Sequence, residues 1–179
     1  MMKNLFQILC GLFLVVSYSS CMHSEEDKVD VLIIGGGASG VTSGIQSARM
    51  GANTLILEES TWLGGMLTSA GVSAVDGNYR LPAGLWGEFK NRLSDYYGGL
   101  DSLKTGWVSN VLFEPSVGNK ILHEMVAAEN NLKVWKQACL EEVKRTGDEW
   151  VAKVKVEGQG VKTVRAKVMI CLFYTSDAA

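Results

Sequence analysis

The segment Gly35-Gly36-Gly37-Ala38-Ser39-Gly40 carries the spacing G-x-G-x-x-G at Gly35, Gly37 and Gly40. Each position has a physical task at a phosphate site. Gly35 allows a tight turn out of a strand, and Gly37 lets a pyrophosphate approach a backbone without a Cβ. Gly40 lets the following helix pack closely on that strand. Ala38 and Ser39 open the helix, where free N–H groups and the helix dipole favour an anion. Eighteen residues after Gly40 stands Glu58, an acid placed to accept hydrogen bonds from ribose hydroxyls and to disfavour a 2′-phosphate. The glycine spacing alone is common. Its setting decides whether it binds a dinucleotide.

That setting is a strand before the turn, a helix after it and a second strand ending on the acid. Val29-Asp30-Val31-Leu32-Ile33-Ile34 is a short apolar, β-branched run, the pattern of a strand buried on both faces of a parallel sheet. A helix follows over residues 38–50, with Val41, Ile45 and Ala48 on its buried face and Gly51 placed to end it. Thr54-Leu55-Ile56-Leu57 is the second strand, closing one βαβ unit at Glu58.

Beyond it, residues 60–84 have no period and are rich in glycine and serine, as an extended loop facing a cofactor would be. Asp76 in this loop either faces the ligand or is solvated. Two further helices are expected, one over 85–97 with Trp86, Phe89, Leu93 and Tyr96 inward. The other covers 117–129, with Ile121, Leu122, Met125 and Val126 inward. A short strand at 132–135 precedes a meander over 138–145, 149–157 and 161–166, turning at Thr146-Gly147-Asp148 and Gly158-Gln159-Gly160. Lys167-Val168-Met169-Ile170 reads as a separate return to a buried parallel strand. The fold class is therefore α/β: a Rossmann-like parallel sheet with helices, carrying an antiparallel β-meander.

After Glu58 comes Ser60-Thr61-Trp62-Leu63-Gly64-Gly65-Met66-Leu67-Thr68-Ser69-Ala70-Gly71. Here the sequence resembles the FAD-dependent oxidoreductases of glutathione-reductase-like fold. Within them it is most similar to the heterodisulfide-reductase-subunit-A-like group common among Bacteroidota. The resemblance runs over 29–170 and includes Phe113-Glu114-Pro115. It implies FAD as cofactor, with Gly64, Gly65 and Met66 wrapping the flavin side of the pyrophosphate. It also implies a position at Leu140 where the backbone reads the adenine edge; Leu140 equally suits a plain core role. The flavin carries the redox chemistry in such proteins, and no catalytic residue stands out.

The amino terminus reads as an export signal. Lys3 precedes an apolar run from Leu5 to Val16, too short to span a bilayer. Tyr18-Ser19-Ser20-Cys21 resembles a lipobox, with Tyr18 a departure from the usual leucine. Residues 1–20 are then a lipoprotein signal peptide, Cys21 the lipidated residue and 21–28 a polar tether. An ordinary signal cut at a small residue is the alternative. The implied location is the cell envelope, lipid-anchored in the outer membrane on its periplasmic or surface face.

Composition narrows the partners. A net charge of −2 without a basic stretch gives no reason to expect a nucleic-acid groove. Twenty glycines against two prolines suit tight strand-to-helix turns. His23, His123, Cys139 and Cys171 are too few and scattered for a metal site or disulfide framework. His123 is expected to be an ordinary surface residue. The expected partners are a small-molecule or glycan-related substrate and, through the anchor alone, a membrane.

The carboxyl end departs from the family, which continues into an Asp-Ala-Thr segment. Residues 171–179 instead resemble a translated transposase-adapter sequence from DNA library preparation. Natural sequence is therefore expected to stop near Ile170, with 29–170 an incomplete FAD-binding domain whose missing strands leave apolar edges. Such a chain is expected to fold poorly and to be inactive. Two functions follow: the amino-terminal part of an FAD-dependent oxidoreductase, or an envelope lipoprotein whose Rossmann-like module binds or scaffolds without redox turnover. The first leads; export as an unfolded chain, without a twin-arginine signal, keeps the second in view, because flavin is scarce outside the cytoplasm.

Overall fold

A computed structural model describes residues 26–77, 79–107 and 109–172. Its elements, in chain order, are β1 (Glu26–Ile34), α1 (Ala38–Arg49), β2 (Thr54–Glu58), α2 (Gly84–Tyr97) and α3 (Pro115–Ala127). The strands β3 (Leu132–Lys136), β4 (Ala138–Thr146), β5 (Glu149–Val156) and β6 (Gly160–Cys171) follow. Short 3₁₀ turns lie at Gly65–Leu67 and Leu100–Leu103.

One six-stranded sheet runs β3-β2-β1-β6-β5-β4. Strands β3, β2, β1 and β6 are parallel neighbours, whereas β6, β5 and β4 pair antiparallel. The alternation of side chains explains how the layers form. Ile33 and Ile56 face the helices, packing with Val41, Ile45, Leu93 and Ile121. Their neighbours Leu32, Ile34, Leu55 and Leu57 face the other way, against Ala152, Val154, Val156 and Val164 of the meander. The meander thus folds over the sheet face opposite the helices. Both faces of β1 and β2 are covered, and each fully buried aliphatic side chain there contributes roughly 1.5–3 kcal/mol.

Two boundaries differ from the sequence reading. The first strand begins at Glu26, not Val29, so Glu26, Asp27 and Lys28 belong to the sheet and not to a tether; they pair with Thr163, Val164 and Arg165. Ion pairs hold this stretch, from Arg165 to Glu26 and from Lys28 Nζ to Glu149 at 2.8 Å. Charge hid the strand, because its outer side chains are ionic rather than apolar. The second difference is at the other end. Residues 161–166 and 167–170, expected as two strands, are one continuous β6, with no glycine or proline after Gly160 to break it. β6 reaches Cys171, and the Leu172 N–H donates to the Ile34 carbonyl at 2.9 Å. The leader with Cys21, and residues 173–179, lie outside the described residues.

Helix α2 brings a further correction. Phe89 and Leu93 are buried as expected, but Tyr96 is half exposed and Lys90 is buried. The four inward residues expected on α3 are all buried. Arg49, at the end of α1, ties the helices together: it pairs with Glu88 on α2 at 2.7 Å and with Glu129 beyond α3 at 2.7 Å.

His123 on α3 is half-buried and not the surface residue expected. Burial, and secondarily the Lys136 ammonium, hold its imidazole below the ordinary value. The unfolded chain therefore binds that proton more readily than the folded one. The stability is fully present above about pH 6.5, the usual histidine value, and declines as pH falls through the depressed folded value. Thermal melts between pH 7 and pH 5 should fall in the wild type and fall less in His123→Gln; parallel profiles would refute this.

Candidate functional site

The parallel strands β1, β2 and β6 end together, and the chain segments leaving them build one cleft. β1 stops at Ile34 and the backbone turns at Gly35 with φ of +104°, a conformation that L side chains rarely adopt. Gly37 is the N-cap of α1, in extended conformation and with no side chain to satisfy the helix N–H groups. Gly40 lies so close to the turn that a Cβ built on it would sit 1.8 Å from the Gly35 carbonyl oxygen. The glycine spacing is thus a packing requirement at one end and an opening at the other, since a Cβ on Gly37 would meet nothing within 4 Å.

The second glycine pair is laced to the first. The Gly64 N–H donates to the Gly36 carbonyl at 2.8 Å, and Gly37 and Gly64 form an isolated parallel bridge. Gly64 has φ of +104°, and a Cβ there would lie 2.6 Å from Leu122 Cδ1. Asn119 Oδ1 accepts the Leu63 N–H at 2.9 Å, and the buried Thr68 hydroxyl donates to the Leu63 carbonyl at 2.5 Å. Helix α3 therefore holds the 60–71 loop against the first turn.

Glu58 closes the arrangement. Its Oε2 accepts the Gly36 N–H at 2.8 Å and its Oε1 accepts the Ser60 N–H at 2.7 Å. Each carboxylate oxygen retains a further lone pair for a ligand hydroxyl. The carboxylate is thus already oriented by backbone before any ligand arrives. Glu58→Ala would strand two N–H donors. Hydrogen bonds to charged groups contribute about 1.5–3 kcal/mol each, so part-buried Glu58 should cost about 3 kcal/mol on removal. Urea titration checks this, with Glu58→Gln expected to recover part of the loss; no change in midpoint would refute it.

The cleft has a volume of about 600 Å³, within the range usual for cofactor sites. Of the residues expected from sequence, Gly35, Gly37, Ala38, Ser39 and Glu58 line it from the β1 and β2 side. Gly64, Gly65 and Met66 line it from the loop. Gly40 does not line it, being beneath the turn. Leu140 does not either; its side chain packs against the meander core. Asp76 is exposed and away from the lining.

Sequence reasoning missed five lining residues, namely Glu59, Leu67, Val75, Trp86 and Leu172. Two had a usable signal. Ligands of such sheets sit beyond the carboxyl ends of the strands, which is where Glu59 and Leu172 follow β2 and β6. Glu59 also accepts from the Cys139 thiol at 3.4 Å. Burial, then the Glu59 carboxylate, push that thiol above its ordinary value. Trp86 reads from sequence only as an inward residue of its helix, and Val75 lies in a loop without a period.

An uncapped helix terminus, an open space above Gly37 and a pre-oriented acid at the next strand end fit a dinucleotide diphosphate and its ribose. Residues 30–171 match the sequence profile described as FAD dependent oxidoreductase. The chain belongs to that family. Its cofactor is FAD, and the site geometry agrees with it, because Gly35 and Gly37 line the cleft on one side and Gly64-Gly65 on the other. No curated protein sequence matches the chain.

Solved structures share the fold of this FAD dependent oxidoreductase domain. The p-nitrophenol 4-monooxygenase PnpA from Pseudomonas putida DLL-E4 aligns with a TM-score of 0.59 at 14% identity, over 85% of this chain and 42% of that one. A flavoprotein/dehydrogenase from Cytophaga hutchinsonii aligns with a TM-score of 0.54 at 18% identity, over 81% of this chain and 39% of that one. The OxyS anhydrotetracycline hydroxylase from Streptomyces rimosus gives a TM-score of 0.54 at 15% identity, over 80% and 31%. The chain thus spans less than half the length of each.

Proposed function

We propose that this chain is the cofactor-holding part of an enzyme that passes a hydride or electrons between a substrate and FAD. The observation that carries the proposal is the lacing of Gly36-Gly37 to Gly64-Gly65 around the mouth of α1, with Glu58 fixed beside it. Bound FAD supplies the redox chemistry. The chain's own residues would bind and orient it: backbone N–H groups at Ala38 and Ser39 would hold the diphosphate, and Glu58 would accept from ribose hydroxyls. Gly64, Gly65 and Met66 form the opposite wall. Membership of the heterodisulfide-reductase-subunit-A-like group is part of the proposal and rests on the Gly64-Gly65-Met66 stretch.

Reconstitution tests this reading. After incubation with FAD and desalting, the full-length protein to which this chain belongs should carry flavin absorption near one equivalent, whereas NAD or NADP should leave no retained nucleotide. A colourless product, or tighter retention of NADP, would overturn it. We also propose, from Leu5 to Cys21 alone, that the mature protein is lipid-anchored in the cell envelope. Radiolabelled palmitate should enter the wild type and not Cys21→Ser; equal labelling would refute the anchor. Among the described residues no helix is long and apolar enough to cross a membrane.

A further inference from the structure

A second cavity, of about 390 Å³, lies against α2 and the loop before it. Its wall carries Arg80, Lys90 and Lys104 together with the apolar Leu100, Leu103 and Val111. Among the described residues no carboxylate lines it. Lys90 is the unusual member, a lysine only 8% exposed. Its Nζ donates to the carbonyls of Tyr79 at 2.8 Å and Leu81 at 2.9 Å, and lies 5.9 Å from the Trp86 ring centroid. Those are neutral partners. Buried charges are ordinarily paired with an opposite charge, and the described residues give Lys90 none. Arg80 donates through Nε to the Tyr79 hydroxyl at 3.1 Å and joins no ion pair among the described residues. Lys104 has Asp101 at 2.8 Å, an outward-facing pair whose carboxylate is 95% exposed.

The cavity adjoins the cofactor cleft. Trp86 lines the cleft and Lys90, one helical turn later on the same face of α2, lines the cavity. On the facing loop Val75 lines the first and Tyr79 the second. We infer that this cavity receives an organic carboxylate, its charge met by Arg80, Lys90 and Lys104 and its apolar body by Leu100, Leu103 and Val111. The volume and the apolar half of the wall favour a carboxylate on a small hydrocarbon frame over a bare phosphate. Arg80, with its terminal nitrogens free of protein partners among the described residues, presents the fork that suits a carboxylate. That the carboxylate belongs to the substrate rests on the proposed function; the binding of an anion here does not.

Calorimetry of the full-length protein with benzoate, benzamide and inorganic phosphate tests the inference, at constant ionic strength and without FAD. Benzoate should bind saturably, at least tenfold more tightly than benzamide and more tightly than phosphate. Arg80→Gln and Lys104→Gln, both exposed positions, should each weaken benzoate about tenfold while leaving the melting temperature unchanged. Lys90 is left intact because it clamps the Tyr79–Leu81 loop. Equal binding of benzoate and benzamide, preference for phosphate, or benzoate affinity unmoved in Arg80→Gln would each overturn the assignment. Flavin retention in the same samples reads the cofactor site separately, so failure of one proposal is distinguishable from failure of the other.

Discussion

Gly40→Ala should lower the melting temperature by about 10 °C and weaken FAD retention at least tenfold. The added methyl carbon would stand 1.8 Å from the Gly35 carbonyl oxygen, with the carbonyl carbon only 2.9 Å away. Both atoms are backbone, so neither can swing aside as a side chain would. Either α1 lifts from β1 or the Gly35 turn deforms, and the second outcome moves Gly37 as well. Overpacking a tight site costs typically about 1–3 kcal/mol, and the rigidity of this contact places the cost near the top of that range. For a domain of this size about 3 kcal/mol corresponds to roughly 6–12 °C. Gly44→Ala on the same helix is the control. Its methyl would be 2.6 Å from Ile56 Cδ1, the far end of a side chain that can change rotamer, so a smaller loss is expected. Circular dichroism melts compare the two, and equal losses would mean that the α1–β1 approach is not the constraint described.

Gly37→Val separates binding from folding in the opposite sense. The backbone at Gly37 is extended with φ of −63°, open to any residue, and no atom lies within 4 Å of its ideal Cβ. Replacing a glycine N-cap by valine removes nothing that was hydrogen-bonded, and the stability change should stay within about 1 kcal/mol. The same branched side chain would occupy the space in which a diphosphate meets the helix terminus. FAD affinity should fall at least 100-fold, about 2.7 kcal/mol, as read by flavin fluorescence on titration. A variant that binds FAD normally would show that the diphosphate does not cross Gly37. A variant that fails to fold would show that the apparent space is filled in solution.

Much of this site was legible in advance because each element of it follows a local rule. Gly35, Gly40 and Glu58 occupy fixed positions in a βαβ unit, and the apolar run before the turn has one satisfactory place, the middle of a parallel sheet. Gly64-Gly65 needed the family resemblance to acquire meaning, since a glycine pair in a loop is otherwise an ordinary turn. What escaped the sequence is what depends on distant contacts. Glu26 to Lys28 look like a solvated tether until Thr163 to Arg165 are set beside them. Lys90 looks like the outer face of an amphipathic helix until the carbonyls of Tyr79 and Leu81 turn toward it.

The dual membership of β6, in the parallel sheet and in the meander, also sets an order of events during synthesis. Asp30 and its partner Lys167 are 137 residues apart. At a ribosomal rate of about 5–20 residues per second, β1 would wait roughly 7–27 s for that partner to be made. During that interval β1 has no partner on its β6 side, and that side is an unpaired edge able to recruit any passing strand. β6 is therefore the segment that seals a strand made long before it, and shielding of β1 is needed until residue 160 and those after it have been made.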